Sequence, residues 1–69
     1  MYVLVRETKE IDGRIRRMFF SETNWGLCMM TRNISDARKY RTKKEAITEM
    51  RSLIKGFTVG KVEDYVQAV

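Results

Sequence analysis

The sequence predicts an α+β domain: a small antiparallel sheet of three to four strands with one helix packed on a face, in the order β-β-β-α-β. Three observations carry this. The N-terminal part alternates β-branched and aromatic residues around an Asp12-Gly13 turn signal. A run with helical spacing follows a capping sequence at Thr42. A chain of 69 residues has room for one domain, spanning 1–69, with a modest core.

Taken in order, Tyr2 to Glu7 (YVLVRE) reads as a first strand. Asp12-Gly13 then closes a hairpin, and Arg14 to Ser21 (RIRRMFFS) is the second strand. The polar SETN reads as a turn. Trp25 to Thr31 (WGLCMMT) is a third strand, in which Gly26 marks a bulge or a close backbone approach. ISDARKY reads as a tight turn capped by Ser35 or Asp36, with Ala37 and Tyr40 packing inward and Arg38, Lys39 and Arg41 facing water.

The helix is expected from Lys43 to Lys55. Thr42 and Glu45 make a capping box, and Ala46, Ile47, Met50, Leu53 and Ile54 recur on one face. Gly56 stands where a left-handed C-terminal cap belongs, with Arg51 and Lys55 near the negative end of the helix. Lys43 and Lys44 fall in the first turn, where positive charge is unfavourable by roughly 0.3–1 kcal/mol. That placement points to an anionic contact, with solvated surface lysines as the plain alternative. The closing FTVGKVEDYVQAV is ambiguous. Phe57 and Val59 alternate as in a strand, while Val62, Tyr65, Val66 and Val69 fit a helix. A strand with Gly60 as a bulge is the expectation, because it widens the sheet beneath the helix.

Composition removes several classes of function. The chain has no His and a single Cys, so His-based catalysis, the usual nucleophilic triads and a His/Cys metal site are not expected. Glu45 with Glu49, and Glu63 with Asp64, lack the supporting groups of an acid–base or Mg²⁺ site. There is no phosphate-binding glycine loop. Catalytic residues, cofactors and metals are therefore expected to be none, and the chain is not read as an enzyme. Cys28 lies in an apolar run and reads as a packing residue. One cysteine permits no internal disulfide, which favours a reducing, cytoplasmic setting. The N-terminus turns charged at Arg6, unlike a secretory signal, and the longest apolar run, Leu27 to Met30, is too short to span a membrane.

The formal charge of +5 is concentrated in the middle of the chain. One basic group is Arg14, Arg16 and Arg17; the other is Arg38, Lys39, Arg41, Lys43 and Lys44. Such a field favours anionic partners. In the second strand, Ile15, Arg17 and Phe19 share a face, and Arg14, Arg16, Met18 and Phe20 share the other. Trp25, Leu27 and Met29 lie opposite Cys28 and Met30. One helix covers only one sheet face. The second face is then covered by the C-terminal segment, or by a second copy of the chain or another partner, and the interface reading is preferred.

The layout resembles that of small phage-encoded accessory proteins, some of them anti-CRISPR or host-takeover inhibitors. The residues that carry the resemblance are Trp25, Ala37, Arg38, Lys39, Tyr40, Thr42, Glu45 and Ala46, in a pattern A-[KR]-[KR]-[FY]-x-[ST]-x-x-E-A followed by a helix and a strand. The resemblance covers most of the chain and is one of fold. It implies a non-enzymatic inhibitor acting in the cytoplasm of a bacterial host on a host protein or nucleoprotein complex. Contact residues are not defined by it. From the sequence itself, Arg38, Lys39, Arg41, Lys43 and Lys44 would steer and pair with acidic or phosphate groups. Arg14, Arg16, Arg17, Phe20 and Trp25 would form a sheet-side contact. The alternative is a nucleic-acid-binding module for DNA or RNA, with the same aromatic and arginine groups stacking bases and meeting phosphates.

Overall fold

A computed structural model describes residues 1–53 and 55–66. It contains strands β1 (Tyr2–Lys9), β2 (Ile15–Asn24), β3 (Leu27–Thr31) and β4 (Thr58–Lys61), and one α-helix, α1 (Lys43–Arg51). Two short 3-10 turns, Ile34–Asp36 and Val62–Asp64, complete it. The strands form one antiparallel sheet in the order β3-β2-β1-β4, so the α+β, β-β-β-α-β expectation holds.

The β1–β2 turn follows from its residues. Gly13 takes φ +88°, its N–H donates to the Glu10 carbonyl at 3.0 Å, and the Glu10 N–H donates to Arg14 at 2.7 Å. This is the three-residue hairpin in which a tight turn is followed by a left-handed glycine. The β2–β3 turn differs from expectation. SETN is not a turn; β2 continues through Asn24, which pairs with Leu27, and the connection is Trp25-Gly26. Both turn residues have positive φ, 54° and 77°, as a type I′ hairpin requires. The third strand therefore starts at Leu27 rather than Trp25. Gly26 marks this turn and not a bulge; the irregularity in β2 falls at Ser21, whose hydroxyl donates to the Met29 carbonyl at 3.0 Å.

Helix α1 begins as expected, with the Thr42 hydroxyl accepting from the Glu45 N–H at 3.2 Å. It ends earlier than expected. Ser52 is the C-cap, and its N–H and hydroxyl both donate to the Glu49 carbonyl, which competes with further helix. Gly56 does take φ +115°, but in the connection to Phe57 rather than at the helix end. Ile54, one of the expected helix-face positions, and residues 67–69, including Val69, lie outside the described residues.

The core has two layers, one on each sheet face. On the helix side, Leu4, Phe20, Tyr40, Ala46 and Phe57 are buried, with Met30, Met50, Leu53 and Val59 packed against them. On the other side, Val3, Val5, Phe19 and Ala37 are buried beneath Ile34, Val62 and Tyr65. The second face is thus closed at its centre by the chain's own 3-10 turns, the alternative the sequence left open, while Ile15, Leu27 and Met29 stay exposed at its ends. The closing segment begins as the expected strand, which widens the sheet beside β1, but Gly60 is not a bulge and the strand is short. Gly60 pairs in regular register with Val3, and β4 gives way at Val62 to the 3-10 turn. The glycine is required by a close approach: a methyl group there would lie 2.6 Å from the Tyr65 hydroxyl. Tyr65 thus lies across β4 and meets Phe19 edge-to-face at 5.3 Å.

Candidate functional site

The sheet is not a uniform slab. β1 pairs with β2 from Val5↔Phe19 to Lys9↔Ile15, whereas β2 pairs with β3 from Phe19↔Thr31 to Asn24↔Leu27. Phe19 is the one residue common to both registers. Beyond it β2 leaves β1, and the gap is filled by the segment before α1. Tyr40 exchanges two 2.8 Å backbone hydrogen bonds with Tyr2, and the Arg38 N–H donates to the Phe20 carbonyl at 2.9 Å. Two hairpin arms therefore project from opposite ends of β2, a strand of ten residues spanning roughly 30 Å.

The β1–β2 arm is charged. Arg14 pairs with Asp12 at 3.3 Å, Arg16 with Glu10 at 2.7 Å, and Arg17 with Glu7 at 3.4 Å. Arg17 also lies over the Tyr65 ring, 4.9 Å from its centroid. An open depression of about 740 Å³ is lined by Arg14, Arg16, Arg17 and Arg32 together with Glu10 and Asp12. Arg32 was not singled out from the sequence. It stands alone between Thr31 and Asn33, and only the antiparallel return of β3 brings it beside the hairpin arginines. Among the described residues it forms no ion pair.

The β2–β3 arm is apolar at its tip and along β3. Trp25 is 94% exposed at its tip, and Leu27 (66%) and Met29 (43%) share one face behind it. A bulky aromatic residue at φ 54° is uncommon, since this backbone region favours Gly, Asn or Asp. β3 is also an edge strand without a charged residue along its length.

These positions redistribute the residues expected to act together. Phe20 is a correction. It is fully buried between α1 and Phe57, on the helix-covered face, and contacts no partner. Trp25 lies at the far end of β2 from Arg14, Arg16 and Arg17, so the sheet-side set is not one patch. In the second basic group, Lys39 turns inward. Its ammonium donates to the carbonyls of Ile34, Ser35 and Ala37 at 3.0–3.2 Å and closes the first 3-10 turn. That turn is capped by Asn33, not by Ser35 or Asp36. Arg38 pairs with Glu49 at 3.2 Å. Arg41, Lys43 and Lys44 are exposed around the start of α1.

The expected inward packing of Ala37 and Tyr40 is present. Among the described residues no group accepts from or donates to the buried Tyr40 hydroxyl. Burial, with the nearby Glu49 carboxylate adding to it and Arg38 opposing, pushes this phenol up to about 12. A shallow depression beside it, about 450 Å³, is lined by Arg38, Lys44 and Glu49 among others. At the other end of the sheet the Glu63 carboxyl is held below its usual range, by its own backbone N–H and by the N-terminal ammonium 3.4 Å away.

No family model, curated protein or solved structure matches the chain. Function must therefore be argued from the arms themselves. Among the described residues no three His, Cys, Asp or Glu side chains are grouped to hold a metal ion, and no helix is long and apolar enough to cross a membrane.

Proposed function

We propose that the chain is a small non-enzymatic binding protein that docks on a protein partner through the β2–β3 arm. The observation that carries this reading is the apolar tip: Trp25, Leu27 and Met29 are exposed together on an uncharged edge strand, in a hairpin whose first turn residue is a Trp at positive φ. An exposed aromatic anchor beside a Leu and a Met has the composition of an interface centre. Positive φ at a bulky residue is a local cost that the turn itself does not require, because Asn or Gly makes the same turn without it. The basic residues Arg41, Lys43 and Lys44 supply long-range attraction to an acidic partner surface. Following the resemblance to phage accessory proteins, the sharpest form of the proposal is inhibition of a bacterial defence protein or nucleoprotein complex in the host cytoplasm.

The nucleic-acid alternative is the weaker one. Stacking platforms place aromatic groups among the cations that track the phosphates. Here Phe20 is buried, and Trp25 is on the opposite arm from the arginine cluster.

The test is the plating efficiency of a CRISPR-targeted phage on immune cells that express the chain, beside a Trp25→Asn/Leu27→Lys/Met29→Lys variant. Restored plating by the wild type and not by the variant is expected. Equal plating with both proteins would remove the apolar arm from the mechanism, and no rescue by the wild type would remove the defence-inhibitor form.

A further inference from the structure

We propose that the open edge of β2 on the charged arm, residues Ile15 to Met18, accepts an extended acidic peptide as an added strand. This surface is separate from the apolar tip and does not rest on its role. The stretch pairs with β1 on one side through Lys9↔Ile15 to Arg6↔Met18. On its other side β3 reaches only as far as Thr31↔Phe19, and among the described residues no strand continues beyond it. In an antiparallel ladder the backbone N–H and C=O groups of alternate residues point away from the neighbour. Those of Ile15–Met18 that point away from β1 have no strand partner, over a length of roughly 13 Å, which matches four added residues.

The depression along this edge is lined by Arg14, Arg16, Arg17 and Arg32, together with the carboxylates Glu10 and Asp12 that pair with Arg16 and Arg14. Arg16 and Arg17 lie on opposite faces of the strand, so an added strand meets a guanidinium on either face. Arg32 stands in line with β3, at the end where the added strand would begin. Such a strand would replace β3 as the neighbour of β2 once β3 has turned away. The carboxylates now held by Arg14, Arg16 and Arg17 are not an obstacle. These are exposed pairs, with arginine side chains 86%, 53% and 48% accessible, and exposed pairs are worth about 0–1 kcal/mol each. Exchange for a peptide carboxylate is therefore nearly neutral, and Arg32 has no internal carboxylate to give up.

The edge also distinguishes a peptide from a polynucleotide. Its outward carbonyls need donors at the spacing of a β-ladder, which a peptide backbone supplies. A phosphate chain presents only acceptors to them. The predicted ligand is thus a β-prone segment with Asp or Glu at successive positions.

The experiment titrates the full chain with a labelled hexapeptide, Val-Glu-Glu-Val-Glu-Glu, whose adjacent carboxylates face both sides of the added strand, and follows both anisotropy and amide shifts. Binding with the amides of Ile15–Met18 as the main responders is expected. A peptide of the same sequence with alternate backbone nitrogens methylated should bind at least tenfold more weakly, because it keeps the charge and loses the ladder. Arg32→Glu should weaken binding about tenfold, one charge pair lost where the added strand begins, while Lys44→Glu on α1 should leave it within twofold. Equal binding of the methylated peptide would overturn the proposal, as would responses confined to α1. Displacement of the peptide by an equally charged DNA oligomer at lower concentration would overturn it in favour of a phosphate site, and no binding at millimolar peptide would overturn it outright.

Discussion

The two arms of β2 are built from one strand and one hydrogen-bonding scheme, yet they meet solvent in opposite ways. The β1–β2 arm carries charge on both faces and pairs it internally, and its turn uses Asp12-Gly13, residues suited to their backbone geometry. The β2–β3 arm is uncharged along β3, exposes its largest side chains, and places a Trp where the turn favours Asn or Gly. Natural sheets protect open edges with charge. The first arm follows that rule, and the second breaks it. The difference teaches that the tip of the second arm does not follow the rules of fold stability that shape the first, which is what the proposed docking role accounts for.

The largest effect should come from the residue the arms share. Phe19→Ala removes the buried ring beneath Tyr65 and should cost about 3–5 kcal/mol, measured by urea denaturation. In a chain this small that approaches the whole stability, and hydrogen exchange should show both arms losing protection together. Loss confined to one arm would mean that the junction does not couple them. Gly60→Ala comes next. The new methyl group must push Tyr65 off β4, at about 1–3 kcal/mol, and the near-ultraviolet dichroism of the tyrosines should change with it.

Trp25→Asn should act in the other direction. Relief of the positive φ should stabilise the fold by about 1 kcal/mol while abolishing partner docking, so stability and binding separate at one position. A destabilised variant would make the Trp a structural residue and erase the contrast between the arms. Arg17→Ala removes the contact over the Tyr65 ring and one exposed ion pair, and should cost about 0.5–1 kcal/mol by the same denaturation.

The smallest effect at neutral pH belongs to Tyr40→Phe, in the wedge between the arms. Among the described residues the hydroxyl has no partner, so its loss should leave the melting temperature unchanged or slightly higher. In alkali the two proteins should diverge. The phenol titrates near 10 when unfolded and near 12 when folded, so the folded state holds its proton longer. Its contribution is complete below about pH 10 and is lost as pH rises toward 12, a decline the Phe variant should lack.

Much of this architecture was legible in the sequence, for reasons of local chemistry. Asp12-Gly13 fixed a turn because the glycine accepts positive φ, and Thr42 with Glu45 fixed a helix start because a hydroxyl meets an orphan N–H. The alternation through β2 separated Phe19 from Phe20 correctly. The rest depended on tertiary pairing. SETN looked like a turn because its residues are polar, but a hairpin arm that packs against no third strand has no reason to be apolar. Phe20 looked like a contact because nothing local says which face the helix takes. Gly60 read as a bulge because the ring that fills its place comes from Tyr65, five residues on, and folds back over the sheet. Of the candidate residues, the hairpin arginines and Trp25 are exposed, but they lie on separate arms, which the sequence did not show. Arg32 gave no signal, since its neighbours are assembled only by the return of β3.

Trp25 is the sole tryptophan of the chain, and it stands in water in the folded state. Its fluorescence is therefore an unusual optical reporter. Emission should already be red in the native protein and should hardly move on unfolding, so it is nearly blind to stability. A blue shift would arise only when another molecule removes the indole from water, and the intrinsic signal then counts docked molecules without any added label.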